Sequence, residues 1–270
     1  MNLNDYFKEI CISKMLGIYF LTFILFMFLN EIFFPSHMTS GVLPCILMLL
    51  WFLFIFKRNN IDICNEFSKK ITRQEKLDGL FLLILNLVFS IGVIFLILSL
   101  IDIQLPLDQS LPSTNYSKLI YVIILAPILE ELMFRGVILN RLSKWFNITA
   151  SIIISSILFG ILHFEKVIIV AFIFGICMCV LYLKTQNIFV SIYVHICNNL
   201  VASLPEIFSL FSSSSNSVQD TNANYLQRIP EIRILAIVLI FISGIFILWY
   251  LIKNWPKSKA KLTSHRNNKL

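Results

Sequence analysis

Long apolar runs and short polar interruptions alternate along the whole chain. The runs fall at 15–34, 41–56, 79–101, 120–140, 148–163, 167–183, 188–210 and 234–252. A helix rises 1.5 Å per residue, so about 20 apolar residues cross the ~30 Å hydrocarbon layer. Most of the runs approach or reach that length, and 41–56 is short. The interruptions carry turn and loop chemistry. Pro35, Ser36 and Ser40 make a turn, 57–78 is a polar loop, and 102–118 contains Pro106 and Pro112. Glu165 and Lys166 mark a tight connection, and 212–228 is a Ser/Asn-rich segment that reads as a mobile loop. The pattern predicts an all-α fold: a polytopic transmembrane bundle of about eight spans, forming a single integral membrane domain over 1–270. A basic tail, 254–270, is expected to be disordered.

Composition strengthens this reading. Of 270 residues, 58% are hydrophobic and only 14% charged, and Phe alone supplies 25. The mean hydropathy is +0.84. Soluble domains carry about a quarter charged residues, so an ordinary soluble protein is excluded. The net charge of +7 does not call for nucleic acid. Its Lys and Arg collect at the N-terminus, in 57–78, at Arg141 and Lys144, at Lys184 and in the tail, whereas the alternate connections hold few. That asymmetry places both termini in the cytoplasm. The six cysteines, Cys11, Cys45, Cys64, Cys177, Cys179 and Cys197, form no CxxC pair and no zinc spacing. The polar, mixed-charge start does not read as a signal peptide. No internal repeat is visible, which weighs against a transporter with proton-carrying glutamates.

The candidate chemistry is the small set of polar groups inside apolar runs. Charges at a helix centre cost about 2.5–3.5 kcal/mol each on insertion scales. Yet the run 120–140 contains Glu130, Glu131 and Arg135. Glu131 and Arg135 are four apart, on one helix face, and can neutralise each other. Glu130 points about 100° away without such a partner. An unpaired carboxylate in a low-dielectric cavity is a better base than one in water. Pro127 removes an amide hydrogen, so the carbonyl of Ile123 is expected to lose its helical donor and the helix to bend. His195 and Asn199 share a face of the run 188–210 by the same spacing, as do Phe159 and His163 on 148–163.

Each feature alone has a plain structural reading as interhelical glue. Together they make a site. If Glu130, His163, His195 and Asn199 converge, they can bind and deprotonate a water and stabilise the oxyanion of a tetrahedral intermediate. Glu130, His163 and His195 are also the donor types that hold a divalent metal such as zinc with an open position for water. The helical HExxH motif is absent, so such a site would draw on three helices. The residues leave metal dependence open.

With these motifs in place, the chain resembles the CPBP family of intramembrane proteases, also called the Abi or CAAX-protease family, which includes the type II CAAX prenyl endopeptidases. Its EExxxR motif corresponds to Glu130-Glu131-Leu132-Met133-Phe134-Arg135. FxxxH corresponds to Phe159-Gly160-Ile161-Leu162-His163, and HxxxN to His195-Ile196-Cys197-Asn198-Asn199. The order is the family's, and the resemblance covers about 117–210. It implies a multi-pass protease of the cell membrane that cleaves a peptide or a membrane-associated protein, in some relatives a lipidated one. It also implies roles: Glu130 to activate water, His163 to help bind it, and His195 with Asn199 to form the oxyanion site. Glu131, Arg135 and Phe159 would support them. Some relatives are linked to bacteriocin self-immunity, so a non-proteolytic membrane scaffold or immunity protein is the alternative. Counting along the runs puts Glu130 near mid-membrane, His195 about two turns inside the cytoplasmic face and His163 towards the outer side. For all three to meet, the fifth run must start deeper than its pattern shows or continue past Glu165.

Overall fold

A computed structural model describes residues 2–33, 41–62, 71–100, 116–163, 167–209 and 229–257. Among the described residues there are helices and no strands. In chain order, α1 is Leu3–Phe7, α2 Ile12–Phe33, α3 Val42–Arg58 and α4 Arg73–Leu100. α5 is a composite helix over 116–142, α6 is Ile148–Leu162, α7 Ile168–Thr185, α8 Ile188–Ala202, α9 Leu204–Ser209 and α10 Ile229–Asn254. Among the described residues each of the eight apolar runs is almost wholly helical, and the chain is a helical membrane protein. Among the described residues α4, α7 and α10 are long and apolar enough to cross a bilayer; α6 and α8 are shorter apolar helices. The expected loop 212–228 and the tail from 258 on lie outside the described residues, as do Glu165, Lys166 and Cys64. The other five cysteines are unpaired thiols.

The helix ends follow local chemistry. The Asn147 side chain caps α6 by accepting from the Ala150 amide, and Asn187 caps α8 by accepting from Phe189. α4 starts earlier than the apolar pattern suggests. Thr72 and Glu75 form a reciprocal capping box, Glu75 N–H donating to Thr72 Oγ1 and Thr72 N–H to Glu75 Oε2. The run 188–210 is divided at Ser203, just ahead of Pro205. α7 ends on Gln186 in the left-handed region at φ 52°.

α4 packs lengthwise on α10, and α7 on α6. Gly92 permits the first pairing: a Cβ there would sit 2.9 Å from the Ile240 side chain and 3.1 Å from the Ala236 carbonyl. α5 threads between α3, α6 and α8. The basic ends of the elements meet at one end of the bundle. Asn4 donates to the Gln186 carbonyl and Arg141 to that of Lys8. Lys144 pairs with Glu9, Lys184 with Asp78, and Trp255 donates to Thr149. At the opposite end Lys118 pairs with Glu206, and Arg233 donates to the Ser99 carbonyl. The two described chain ends, α1 and Trp255, therefore share the basic end.

Candidate active site

α5 is not a regular helix. It is α-helical at Tyr116–Ile120, Ala126–Glu131 and Asn140–Leu142, and widened to i→i+5 bonding at Tyr121–Leu125 and Leu132–Leu139. Such wide turns leave carbonyls in need of outside donors. In the first, the Ala126 amide donates to the Tyr121 carbonyl. The same step would next call on residue 127, a proline without an N–H. The Val122 carbonyl is thereby left over, and the Asn199 amide donates to it at 2.9 Å. At the second, Asn140 donates to the carbonyls of Arg135 and Gly136 at 2.9 and 2.8 Å. It also donates to the Tyr182 hydroxyl at 2.7 Å. The orphan carbonyl expected from Pro127 is thus Val122 rather than Ile123, because the preceding turn is wider than an α-turn.

Between the two wide turns stand Glu130 and Glu131, and their surroundings differ. Glu131 is fully buried and Arg135 is 1% exposed; Arg135 Nη1 lies 2.8 Å from Glu131 Oε1. The guanidinium also sits 4.6 Å over the Phe159 ring and reaches the Gly175 carbonyl at 3.4 Å. His195 Nδ1 lies 2.8 Å from the same Glu131 Oε1. The pairing read from the i, i+4 spacing is present, and it extends across helices to His195.

Glu130 is partly exposed, one residue's turn around α5 from Glu131. Its Oε2 lies 3.6 Å from His163 Nε2 and 3.7 Å from His195 Nε2. The ring orientations define the chemistry. His163 Nδ1 is 2.8 Å from the Phe159 carbonyl, which can only accept, so that nitrogen carries the hydrogen. His195 Nδ1 likewise donates to the Glu131 carboxylate. With Nδ1 so engaged, both rings turn Nε2 towards the Glu130 carboxylate.

His163 reaches this point without the deeper start or the continuation past Glu165 that residue counting called for. α6 runs only to Leu162, and His163 caps its end at φ −102°, ψ 31°. Its ring folds back over Phe159 with centroids 4.4 Å apart, so the imidazole hangs down towards the middle of the bundle. Phe159 meets Phe134 edge-on at 5.1 Å, and Phe174 meets His195 at 4.8 Å. Phe174 and Gly175 were not legible as site residues. A Cβ at Gly175 would come within 3.1 Å of Ser156, so the glycine sets the approach of α7 to α6. Glu130 and His163 open onto a cavity of about 170 Å³ whose wall includes Tyr19, Cys45, Tyr121 and Phe134.

The structure thus brings Glu130, His163 and His195 together, with Glu131, Arg135 and Phe159 behind them. Asn199 is placed differently from the expectation: its amide is spent on the Val122 carbonyl. As for a metal, two imidazoles and a carboxylate are suitable donor types. Among the described residues, however, no group of three His, Cys, Asp or Glu side chains is arranged to hold a metal ion.

Residues 112–201 match the family described as "Type II CAAX prenyl endopeptidase Rce1-like". The match spans about a third of the chain and contains all seven residues just placed. The chain is also similar to the protein named "Putative membrane peptidase YdiL" of Bacillus subtilis (strain 168). They are 31% identical over 100 residues, which is 36% of this chain and 41% of that protein. The chain therefore matches about two fifths of the length of that curated relative. No solved structure matches the chain at a significant level.

Proposed function

We propose that the protein is an intramembrane endopeptidase of the CAAX-protease type, in which Glu130 draws a proton from a water that then attacks a peptide carbonyl. The observation that carries this reading is the Glu130 carboxylate facing two Nε2 lone pairs at 3.6 and 3.7 Å, with both rings held by their Nδ1 hydrogens. A water seated there donates to two of the three acceptors. Glu130 takes one proton, and the hydroxide is left facing a substrate in the cavity. The same carboxyl then has a proton to give to the leaving amine.

His195 is the group best placed to meet the oxyanion. As the intermediate collapses to the carboxylate, the ring's Nε2 takes the second proton of the former water, and Glu131 stabilises the resulting imidazolium through Nδ1. Arg135 balances Glu131 in the resting state. Asn199 has one N–H on Val122, so only the second N–H of its amide remains for a substrate oxygen. Its first duty in this reading is to hold the widened turn ahead of Glu130. The substrate class is a peptide or membrane-associated protein, whose lipidation the residues do not specify.

The test is cleavage by purified protein in detergent, with prenylated and unprenylated versions of one quenched fluorescent CAAX peptide and a single-span membrane substrate. Glu130→Ala and Glu130→Gln are expected to lose about 10²–10⁴-fold in kcat, the usual contribution of a general base. Undiminished cleavage by folded Glu130→Gln would refute the assignment. A cellular phenotype that survives Glu130→Ala would favour the non-proteolytic scaffold or immunity reading. Inhibition by a chelator, restored by added zinc, would show that metal does take part.

A further inference from the structure

A second cavity stands apart from Glu130. It lies at the basic end of the bundle, between α4 and α10, holds about 650 Å³, and shares no lining residue with the cavity at Glu130. We infer that this groove binds an anionic phospholipid.

The groove is two-part. Its outer wall is an apolar stripe on α4, Leu77, Leu80, Phe81 and Ile84, faced by Trp249 on α10. Leu77, Leu80, Ile84 and Trp249 are each about half exposed, so they look outwards from the bundle. Phe81 bridges the helices, with its ring 6.2 Å from Trp249 and 6.0 Å from Tyr250. A stripe of this kind, starting at the polar end of α4 and descending about 10 Å along the helix, suits an acyl chain.

The mouth is polar and cationic. Lys184 pairs with Asp78 at the floor and lies 5.5 Å from the Tyr250 ring. Lys253 lies over Trp249 at 4.8 Å and is solvent-exposed. Gln74 donates to Asp78 at 3.1 Å, so one carboxylate oxygen is already engaged. Two ammonium groups against one carboxylate leave one positive charge, the complement of one phosphodiester. Tyr250 is buried, and its hydroxyl has no hydrogen-bond partner among the described residues. It offers one more donor at the floor. A basic mouth above an aromatic and aliphatic wall at the membrane boundary matches a lipid headgroup and chain together. A free phosphate would use only the mouth and leave the wall idle.

The full-length protein, purified in detergent, is titrated by native mass spectrometry with phosphatidylglycerol, with phosphatidylcholine of the same chains, and with glycerol phosphate. Phosphatidylglycerol should bind several-fold tighter than phosphatidylcholine. Lys253→Gln should weaken it about fivefold while leaving phosphatidylcholine unchanged. Ile84→Trp, which fills the stripe from an exposed position, should weaken both lipids, and glycerol phosphate should not bind. Equal retention of the two lipids would overturn the inference. So would an unchanged preference in Lys253→Gln, unchanged binding in Ile84→Trp, or glycerol phosphate binding as tightly as the lipid.

Discussion

Replacing Arg135 by Met tests the electrostatic frame of the site without touching the cavity. Arg135 is 1% exposed and its partner Glu131 is fully buried, 2.8 Å away. Met keeps most of the aliphatic volume and removes the charge. Breaking a buried pair from one side costs about 3–5 kcal/mol, because the remaining ion has lost its compensation. Here the cost should fall near the lower end, about 3 kcal/mol, since Glu131 keeps His195 as a donor. At about 2–4 °C per kcal/mol for a chain of this size, the melting point should drop by roughly 6–12 °C. A thiol-reactive dye reads this well, because Cys177 and Cys179 are 0% and 1% exposed and react only on unfolding. The decisive arm is the double variant Glu131→Gln with Arg135→Met. It leaves no buried charge uncompensated, so it should return to within about 1–2 kcal/mol of the parent. A drop under about 3 °C for Arg135→Met would refute the reasoning. So would a double variant no more stable than the single one.

Asn199→Ala should cost about 0.5–1.5 kcal/mol by leaving the part-buried Val122 carbonyl without its donor. In a Pro127→Ala background, where residue 127 regains an N–H, the same substitution should cost less, measured by the same melting assay. Gly136→Ala forces a Cβ to within 2.9 Å of the Phe7 ring; it should cost about 1–3 kcal/mol, and added Phe7→Leu should recover part of it. At the basic end, the hydrogen bond and charge of Lys144 hold the Glu9 carboxyl below its ordinary 4.5. The contact therefore stabilises α1 docking above pH 4.5 and loses that contribution as the pH falls through the lowered value. Hydrogen exchange of α1 should rise across that range in the parent and rise less in Lys144→Gln, where the Asp5 carboxyl, lowered by its hydrogen bond from Lys8, still titrates, after correction for the intrinsic rate.

The helices were legible because a bilayer writes them plainly: runs of apolar residues that cannot remain unpaired in oil must be helical. Their boundaries were less so. α4 begins at Arg73 because Thr72 and Glu75 cap it, a local signal that hydropathy ignores. α1 was missed altogether. It has five residues, and it is held by contacts distant in sequence, Phe7 on Gly136 and Asn4 on Gln186. In the site, what lies within one helix could be read. Glu131 and Arg135 pair as their spacing requires, and Glu130 is left to the other side. What lies between helices could not. The hydrogen bond from His195 to Glu131, the fold-back of His163 and the capture of Val122 by Asn199 each join distant segments. Only Pro127 signalled the last, and it indicated a neighbouring carbonyl.

The two adjacent glutamates make physical sense as a division of labour through His195. One imidazole touches both: Nδ1 donates to Glu131 and Nε2 faces Glu130. Were Glu131 absent, the ring could place its hydrogen on either nitrogen, and a hydrogen on Nε2 would point at Glu130 directly. The buried Glu131, paired with Arg135, takes the hydrogen bond at Nδ1 and so turns Nε2 to Glu130. In the proposed reaction a proton gained at Nε2 would be balanced by Glu131, which is already in place. The cost of burying Arg135 and Glu131 is therefore tied to the state of a nitrogen 3.7 Å from the Glu130 carboxylate.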